Sequence, residues 1–86
     1  MNGELADIKG VAAFSGERVF FELDNGLYAS VSALSDNDKV LLFPWKEIFL
    51  EYLYDEDIPA PTEEQLAIAE SNYRKYGADA RMFIID

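Results

Sequence analysis

The first half of the chain alternates apolar and polar residues with a period of two, which predicts β-strands. The stretch Ile8 to Phe14 is predicted to form the first strand, and the pair Ser15-Gly16 after it indicates a turn. A second strand is predicted to begin at Arg18. In it Val19, Phe21 and Leu23 share one face, and the residues between them share the other.

Asp24-Asn25-Gly26 follows the second strand, and Asn-Gly is a strong hairpin signal because both residues accept positive φ. From Leu27 to Ala33, apolar residues alternate with Tyr28, Ser30 and Ser32, and we predict that this Ser-rich face of a third strand is exposed to water. A polar turn at 35–38 leads to a short fourth strand from Val40 to Phe43. Two consecutive hairpins predict an antiparallel meander.

At Pro44 the period changes from two to 3.6, which predicts a helix over 45–54. Thr62, with Gln65 three residues later, forms a capping-box pattern that predicts a second helix over 62–76, and Gly77 fits the left-handed position after its end. A final strand is predicted between residues 80 and 85. The sequence therefore predicts one α+β domain over 1–86, an antiparallel β-meander sheet with two helices on one face, in the order β-β-β-β-α-α-β.

The apolar stripes of both helices are predicted to pack on the same face of the sheet. The predicted core consists of Trp45, Phe49, Leu53, Leu66 and Tyr73 against Val19, Phe21, Val31 and Phe83.

The composition excludes several kinds of chemistry. Seventeen Asp and Glu against seven Lys and Arg give a formal net charge of -10, which argues against direct binding to nucleic acid or to an anionic membrane. Because the chain has no Cys and no His, it lacks thiolate nucleophiles, imidazole bases and the usual zinc ligands. We therefore expect no enzymatic activity and no cofactor. With no signal peptide or apolar span in the sequence, we expect a cytoplasmic location.

Two D-x-D sequences raise the question of a metal site. They are Asp36-Asn37-Asp38 and Asp55-Glu56-Asp57. A calcium loop also needs a glycine at its sixth position and a late glutamate, and neither sequence continues in that way. We expect no metal site.

The negative charge is concentrated in the helical half, where residues 44–70 carry eight acids and one base. Glu47, Glu51 and Asp55 recur at intervals of four without a basic partner in that row, and Glu56 and Asp57 follow at the predicted helix end. Like charges at this spacing and at a helix C-terminus are unfavourable for the helix itself. We call these five residues the acidic ridge, and their pattern indicates either a binding surface for a basic partner or a face that only keeps the domain in solution.

Two tyrosines are further candidate anchors for a partner. Tyr54 lies off the predicted apolar stripe next to the ridge, and Tyr28 lies on the Ser-rich face. Tyrosines at exposed positions are frequent anchors of protein interfaces.

Three classes of function remain open. The first is a protein-interaction module, an inhibitor or immunity-type protein whose acidic face docks on a basic partner such as a nuclease or another nucleic-acid-binding protein. In size and charge alone the chain is similar to nuclease-immunity proteins and to phage inhibitors of restriction or CRISPR effectors. The second is a small ligand-binding or regulatory domain, and the third a minimal carboxylate enzyme. The chain is expected to be a monomer or a homodimer.

Overall fold

A five-stranded sheet with one α-helix packed on it forms the part of the chain that the computed structural model describes, residues 5–44 and 60–82. The strands lie side by side in chain order. The elements are β1 (Ile8–Phe14), β2 (Arg18–Leu23), β3 (Tyr28–Ser32), β4 (Leu41–Phe43), α1 (Glu63–Tyr76) and β5 (Arg81–Met82).

The first four strands form the antiparallel meander that the sequence predicts. The last strand differs, because β5 pairs with β4 in parallel, with Leu41 opposite Arg81 and Leu42 opposite Met82. The prediction of a purely antiparallel sheet is therefore wrong. The chain between β4 and β5 includes α1, and such a crossover returns it to the end of the sheet from which β4 started.

The hairpin between β2 and β3 turns at Asn25-Gly26 as predicted, although only the glycine takes positive φ, at 89°. The Leu23 amide donates to the Leu27 carbonyl at 2.9 Å, and the Gly26 amide donates to the Leu23 carbonyl at 3.3 Å. These bonds enclose a three-residue loop instead of a two-residue one. In this longer loop the glycine supplies the left-handed residue, and Asn25 stays at negative φ.

The predicted capping box at the start of α1 is confirmed. Thr62 Oγ1 accepts from the Gln65 amide at 3.1 Å, and Gln65 Oε1 accepts from the Thr62 amide at 2.8 Å. The predicted end is wrong in one respect, because Gly77 has a right-handed φ of -64° and begins a short 3-10 turn over Gly77–Asp79.

The main core lies between α1 and one face of the sheet. Ala69 and Tyr73 of α1 are buried, and Leu66 packs beside them. Their partners include Val19, Phe21 and Val31, as predicted. The predicted helix over 45–54 with its Trp45, Phe49 and Leu53, and the predicted core residue Phe83, lie outside the described residues.

Two serines on the opposite face of the sheet are also buried, contrary to the prediction of a wet serine face. Ser30 is 2% exposed and Ser32 6% exposed. The strand register explains this result, because it places Ser30 between Phe20 of β2 and Leu41 of β4. Phe20 and Phe43 form a second small core on this face, with ring centroids 6.0 Å apart.

Candidate functional site

Most of the sequence-predicted interface lies outside the described residues. This holds for the whole acidic ridge (Glu47, Glu51, Asp55, Glu56 and Asp57) and for Tyr54. The remaining member, Tyr28, is in β3, where it is partly buried and packs with Phe20 and Phe43. The face around Tyr28 is thus a small apolar cluster rather than the open polar surface that the serines suggested.

The charge balance differs between the described residues and the rest of the chain. The described part holds ten of the seventeen acids and six of the seven bases. Two of these bases form ion pairs within the described part: Lys9 pairs with Glu22 at 3.6 Å and Lys75 with Asp36 at 2.9 Å. More than half of the net charge of -10 therefore belongs to residues outside the described ranges.

A polar cluster joins the end of α1 to the loop between β3 and β4. Asp36 accepts from the Tyr76 hydroxyl at 2.6 Å and from the Lys75 ammonium at 2.9 Å. The hydrogen bond from Tyr76 and then that from Lys75 lower the pKa of Asp36. Conversely, the bond to Asp36 raises the pKa of both Lys75 and Tyr76. The carboxylate is thus held ionised, which suits a structural clamp and not a general acid.

Asn72 fastens the same loop from inside the protein. The residue is 1% exposed, and its Nδ2 donates to the Ser32 carbonyl at 3.1 Å and to the Ser35 carbonyl at 2.7 Å. Its Oδ1 accepts from the Asn37 amide at 3.3 Å. The sequence prediction missed this residue. The signal was its spacing, three residues after Ala69 and four before Tyr76, which places it on the packed side of the helix.

A cleft of about 600 Å³ opens beside this cluster, where the loop before β4 faces the start of β5. Its charged lining is mixed: Lys39 and Arg81 stand with Asp38 and Asp79. Leu41 forms part of the wall. With two cations and two carboxylates, the cleft has no net charge of its own to select a ligand.

Arg18, to which the sequence analysis gave no role beyond the start of the second strand, forms a second polar centre. Its guanidinium lies partly buried over β3, and Nε donates to Ser30 Oγ at 2.6 Å. Nη2 donates to the Ser30 carbonyl at 2.8 Å and also to the Lys39 carbonyl. Burial is the main cause that lowers the pKa of Arg18.

Asp7 and Asp24 are joined by two hydrogen bonds where β1 begins. The Asp7 amide donates to Asp24 Oδ1 at 3.2 Å, and the Asp24 amide donates to the Asp7 carbonyl at 2.9 Å. Close by, the Tyr73 hydroxyl donates to the Ala6 carbonyl at 2.6 Å. Burial, followed by the charges of Asp24 and Asp7, raises the pKa of Tyr73. This phenol therefore stays protonated and serves as a hydrogen-bond donor.

No group of three or more acidic side chains suited to a metal ion occurs within 5–44 and 60–82. The first D-x-D sequence, Asp36-Asn37-Asp38, was considered above as a metal site. In it the carboxylate oxygens of Asp36 accept hydrogen bonds from Lys75 and Tyr76. Asn37 Oδ1 accepts from the Lys39 amide at 2.8 Å, which shapes the turn. The second D-x-D sequence, Asp55-Glu56-Asp57, lies outside these ranges.

Helix α1 is too short and too polar to cross a membrane, and the described part of the chain contains no other helix that could do so.

Comparisons with protein-family models, with curated proteins and with solved structures found no significant match to this chain.

Proposed function

We propose that this protein is an interaction module, of the inhibitor or immunity type, that binds a basic protein surface through its acidic ridge. The observation that supports this proposal is the uneven charge. Residues 45–59 carry five acids and one base, whereas the described part holds six of the seven bases and pairs two of them with its own acids. A segment with such an excess of negative charge suits a partner with a basic surface.

A partner that handles nucleic acid fits this charge best. Such proteins line their binding grooves with Lys and Arg to contact phosphates, and a row of carboxylates can occupy the same groove. Complementary charge accelerates association and disfavours wrong partners. The protein itself, with a net charge of -10, is not proposed to bind nucleic acid or a membrane.

The ridge can be tested with a charge-matched pair of variants. The test variant is Glu47→Gln with Glu51→Gln and Asp55→Asn. The control is Glu17→Gln with Glu64→Gln and Glu70→Gln, which removes three charges at exposed positions elsewhere. Both variants have the same net charge, so any difference between them reports where the charge is and not how much there is.

Each immobilised variant is presented with the heparin-binding fraction of a cell extract, which is enriched in proteins with basic nucleic-acid-binding grooves. Wild type and control should retain the same basic protein, released by raising the salt from about 0.05 to about 0.5 M, because screening weakens charge contacts. The ridge variant should lose it while circular dichroism shows an intact fold. Equal retention by both variants, or equal loss from both, would contradict the proposal.

A further inference from the structure

Four charged side chains line the cleft of about 600 Å³ between the loop before β4 and the start of β5. They are Asp38, Lys39, Asp79 and Arg81, and all four residues are exposed. Within 5–44 and 60–82, their side chains form no ion pair with one another or with any other residue. The cleft therefore offers two cations and two carboxylates that are available to a ligand.

The backbone that carries these side chains is held in place on both walls of the cleft. On one wall the Lys39 amide donates to Asn37 Oδ1 at 2.8 Å, and the Lys39 carbonyl accepts from Arg18 Nη2. On the other wall the Arg81 amide donates to the Val40 carbonyl at 3.2 Å, which joins β5 to the start of β4. A site whose frame is formed in advance loses less entropy when it binds a ligand.

The arrangement of charge decides which ligands suit the cleft. Each wall carries one carboxylate and one cation, Asp38 with Lys39 and Asp79 with Arg81. A simple anion would meet both carboxylates as well as both cations, and a simple cation would meet the same balance, so neither is favoured by the cleft as a whole. A molecule that carries both signs can place each of its charges against an opposite one.

We infer that this cleft binds a small zwitterion of the α-amino-acid class. The carboxylate of the ligand lies against Arg81 and Lys39, and its ammonium group lies against Asp79 and Asp38. The partly buried Leu41 forms the wall for an apolar side chain of the ligand. The volume of the cleft is in the usual range for small-molecule sites. This inference does not rest on the acidic ridge or on a protein partner.

Four leucine derivatives test the inference, because together they remove each charge of the ligand separately. Leucine carries both charges, N-acetylleucine only the carboxylate, leucinamide only the ammonium group, and N-acetylleucinamide neither. Each is titrated into the wild-type chain while two-dimensional NMR follows the backbone amides. Leucine should shift the amides of Lys39, Leu41 and Arg81 and saturate. Each singly charged derivative should bind about tenfold more weakly, because the charge-assisted hydrogen bonds of one group are lost.

Three results of this titration would overturn the inference. N-acetylleucine that binds as tightly as leucine would mean that the cleft takes a simple anion, and leucinamide that does so would mean that it takes a simple cation. Leucine that shifts nothing in the cleft, or that shifts the amides of Glu70 and Arg74 on the exposed side of α1 equally, would mean that there is no site.

A set of variants assigns the two charges of the ligand to their partners. Arg81→Gln should weaken leucine binding about tenfold and should not weaken leucinamide, which has no carboxylate to lose its partner. Asp79→Asn should weaken leucine in the same way and should not weaken N-acetylleucine. The controls are Arg74→Gln and Glu70→Gln, which remove the same charges from exposed positions of α1 and should leave leucine binding unchanged.

Circular dichroism shows which variants are folded, and Lys39→Gln takes the place of Arg81→Gln where the latter does not fold. Leucine binding that is unchanged in the folded cleft variants would overturn the inference. Arg81→Gln that weakens leucine and leucinamide equally would also overturn it, because the loss would then not depend on the carboxylate of the ligand. Neither result would bear on the ridge, because no protein partner takes part.

Discussion

The ring of Tyr73 occupies the space where a side chain of Gly77 would lie. A Cβ at Gly77 would stand 3.0 Å from Cδ1 and Cε1 of Tyr73 and 3.3 Å from Cδ1 of Leu5. The φ of Gly77 is an ordinary -64°, so the position needs glycine for its small size and not for its conformational freedom. Because Tyr73 also donates to the Ala6 carbonyl at 2.6 Å, this contact fixes the end of α1 to the segment before β1.

Gly77→Ala should therefore destabilise the protein, although alanine is normally the better residue at a helical φ and ψ. We expect the free energy of unfolding to fall by about 1–3 kcal/mol, because the ring of Tyr73 must move out of a packed site. Gly10→Ala is the control, since a Cβ there meets nothing within 4 Å. It should change stability by less than about 1 kcal/mol. Urea unfolding measures both, and a stabilised Gly77→Ala would show that the tyrosine contact is not tight.

Local patterns in the sequence predicted most elements of the described part. The bounds of β1 and β2 follow directly from the alternation of residues, and Thr62 with Gln65 marks the start of α1. These signals depend only on near neighbours in the chain. The hairpin at Asn25-Gly26 belongs to the same class, although its extra loop residue depends on how β2 and β3 align.

Features that depend on distant residues could not be predicted in this way. Ser30 looks polar in its own strand, but the register places it between Phe20 and Leu41 and so buries it. The direction of β5 depends on the path of the crossover that contains α1. One residue in the sequence did indicate that this face is buried. Phe20 lies on the same face as Ser30, and a large aromatic side chain there favours burial over exposure to water.

The candidate site was predicted less well than the fold, for a related reason. Arg18 and Asn72 gain their roles from carbonyl groups 12 and 40 residues away in the chain. Every residue carries a backbone carbonyl, so the sequence does not show which carbonyls will accept these hydrogen bonds. Asn72 could have been noticed as a lone polar residue on the packed side of a helix. Arg18 could have been noticed as an arginine next to apolar positions of a strand.

Asn72→Ala should be among the most destabilising polar substitutions in the described part. It leaves the carbonyls of Ser32 and Ser35 and the amide of Asn37 without their side-chain partner. Buried groups left unpaired cost about 1–3 kcal/mol, and we expect a loss of unfolding free energy in that range. Ser71→Ala, at the neighbouring exposed position, should change it by less than about 0.5 kcal/mol.

Urea unfolding compares the two variants, and amide hydrogen exchange locates the effect. In Asn72→Ala the amides of residues 35–38 should exchange faster, because the loop has lost its internal attachment. Stability equal to that of Ser71→Ala would mean that water replaces the asparagine without cost.

The clamp of Asp36 with Lys75 and Tyr76 should make stability depend on pH at both ends of the scale. The pKa of Asp36 is lowered in the folded protein, so its stabilising effect is present above the unfolded pKa and is lost as pH falls through the folded one. The pKa values of Lys75 and Tyr76 are raised. Their effect is fully present below their unfolded pKa values and is lost as pH rises through the folded ones.

Asp36→Asn isolates this effect, and Asp38→Asn removes the same charge from the same loop at a residue to which neither Lys75 nor Tyr76 donates a hydrogen bond. At pH 7, Asp36→Asn should be less stable than wild type in urea, because a neutral amide cannot hold both donors. The difference should shrink at acid pH, as the carboxylate of wild type becomes protonated in its turn. Asp38→Asn should follow wild type at both pH values. A difference between Asp36→Asn and wild type that persists unchanged at low pH would show that the clamp acts through shape alone and not through the charge of Asp36.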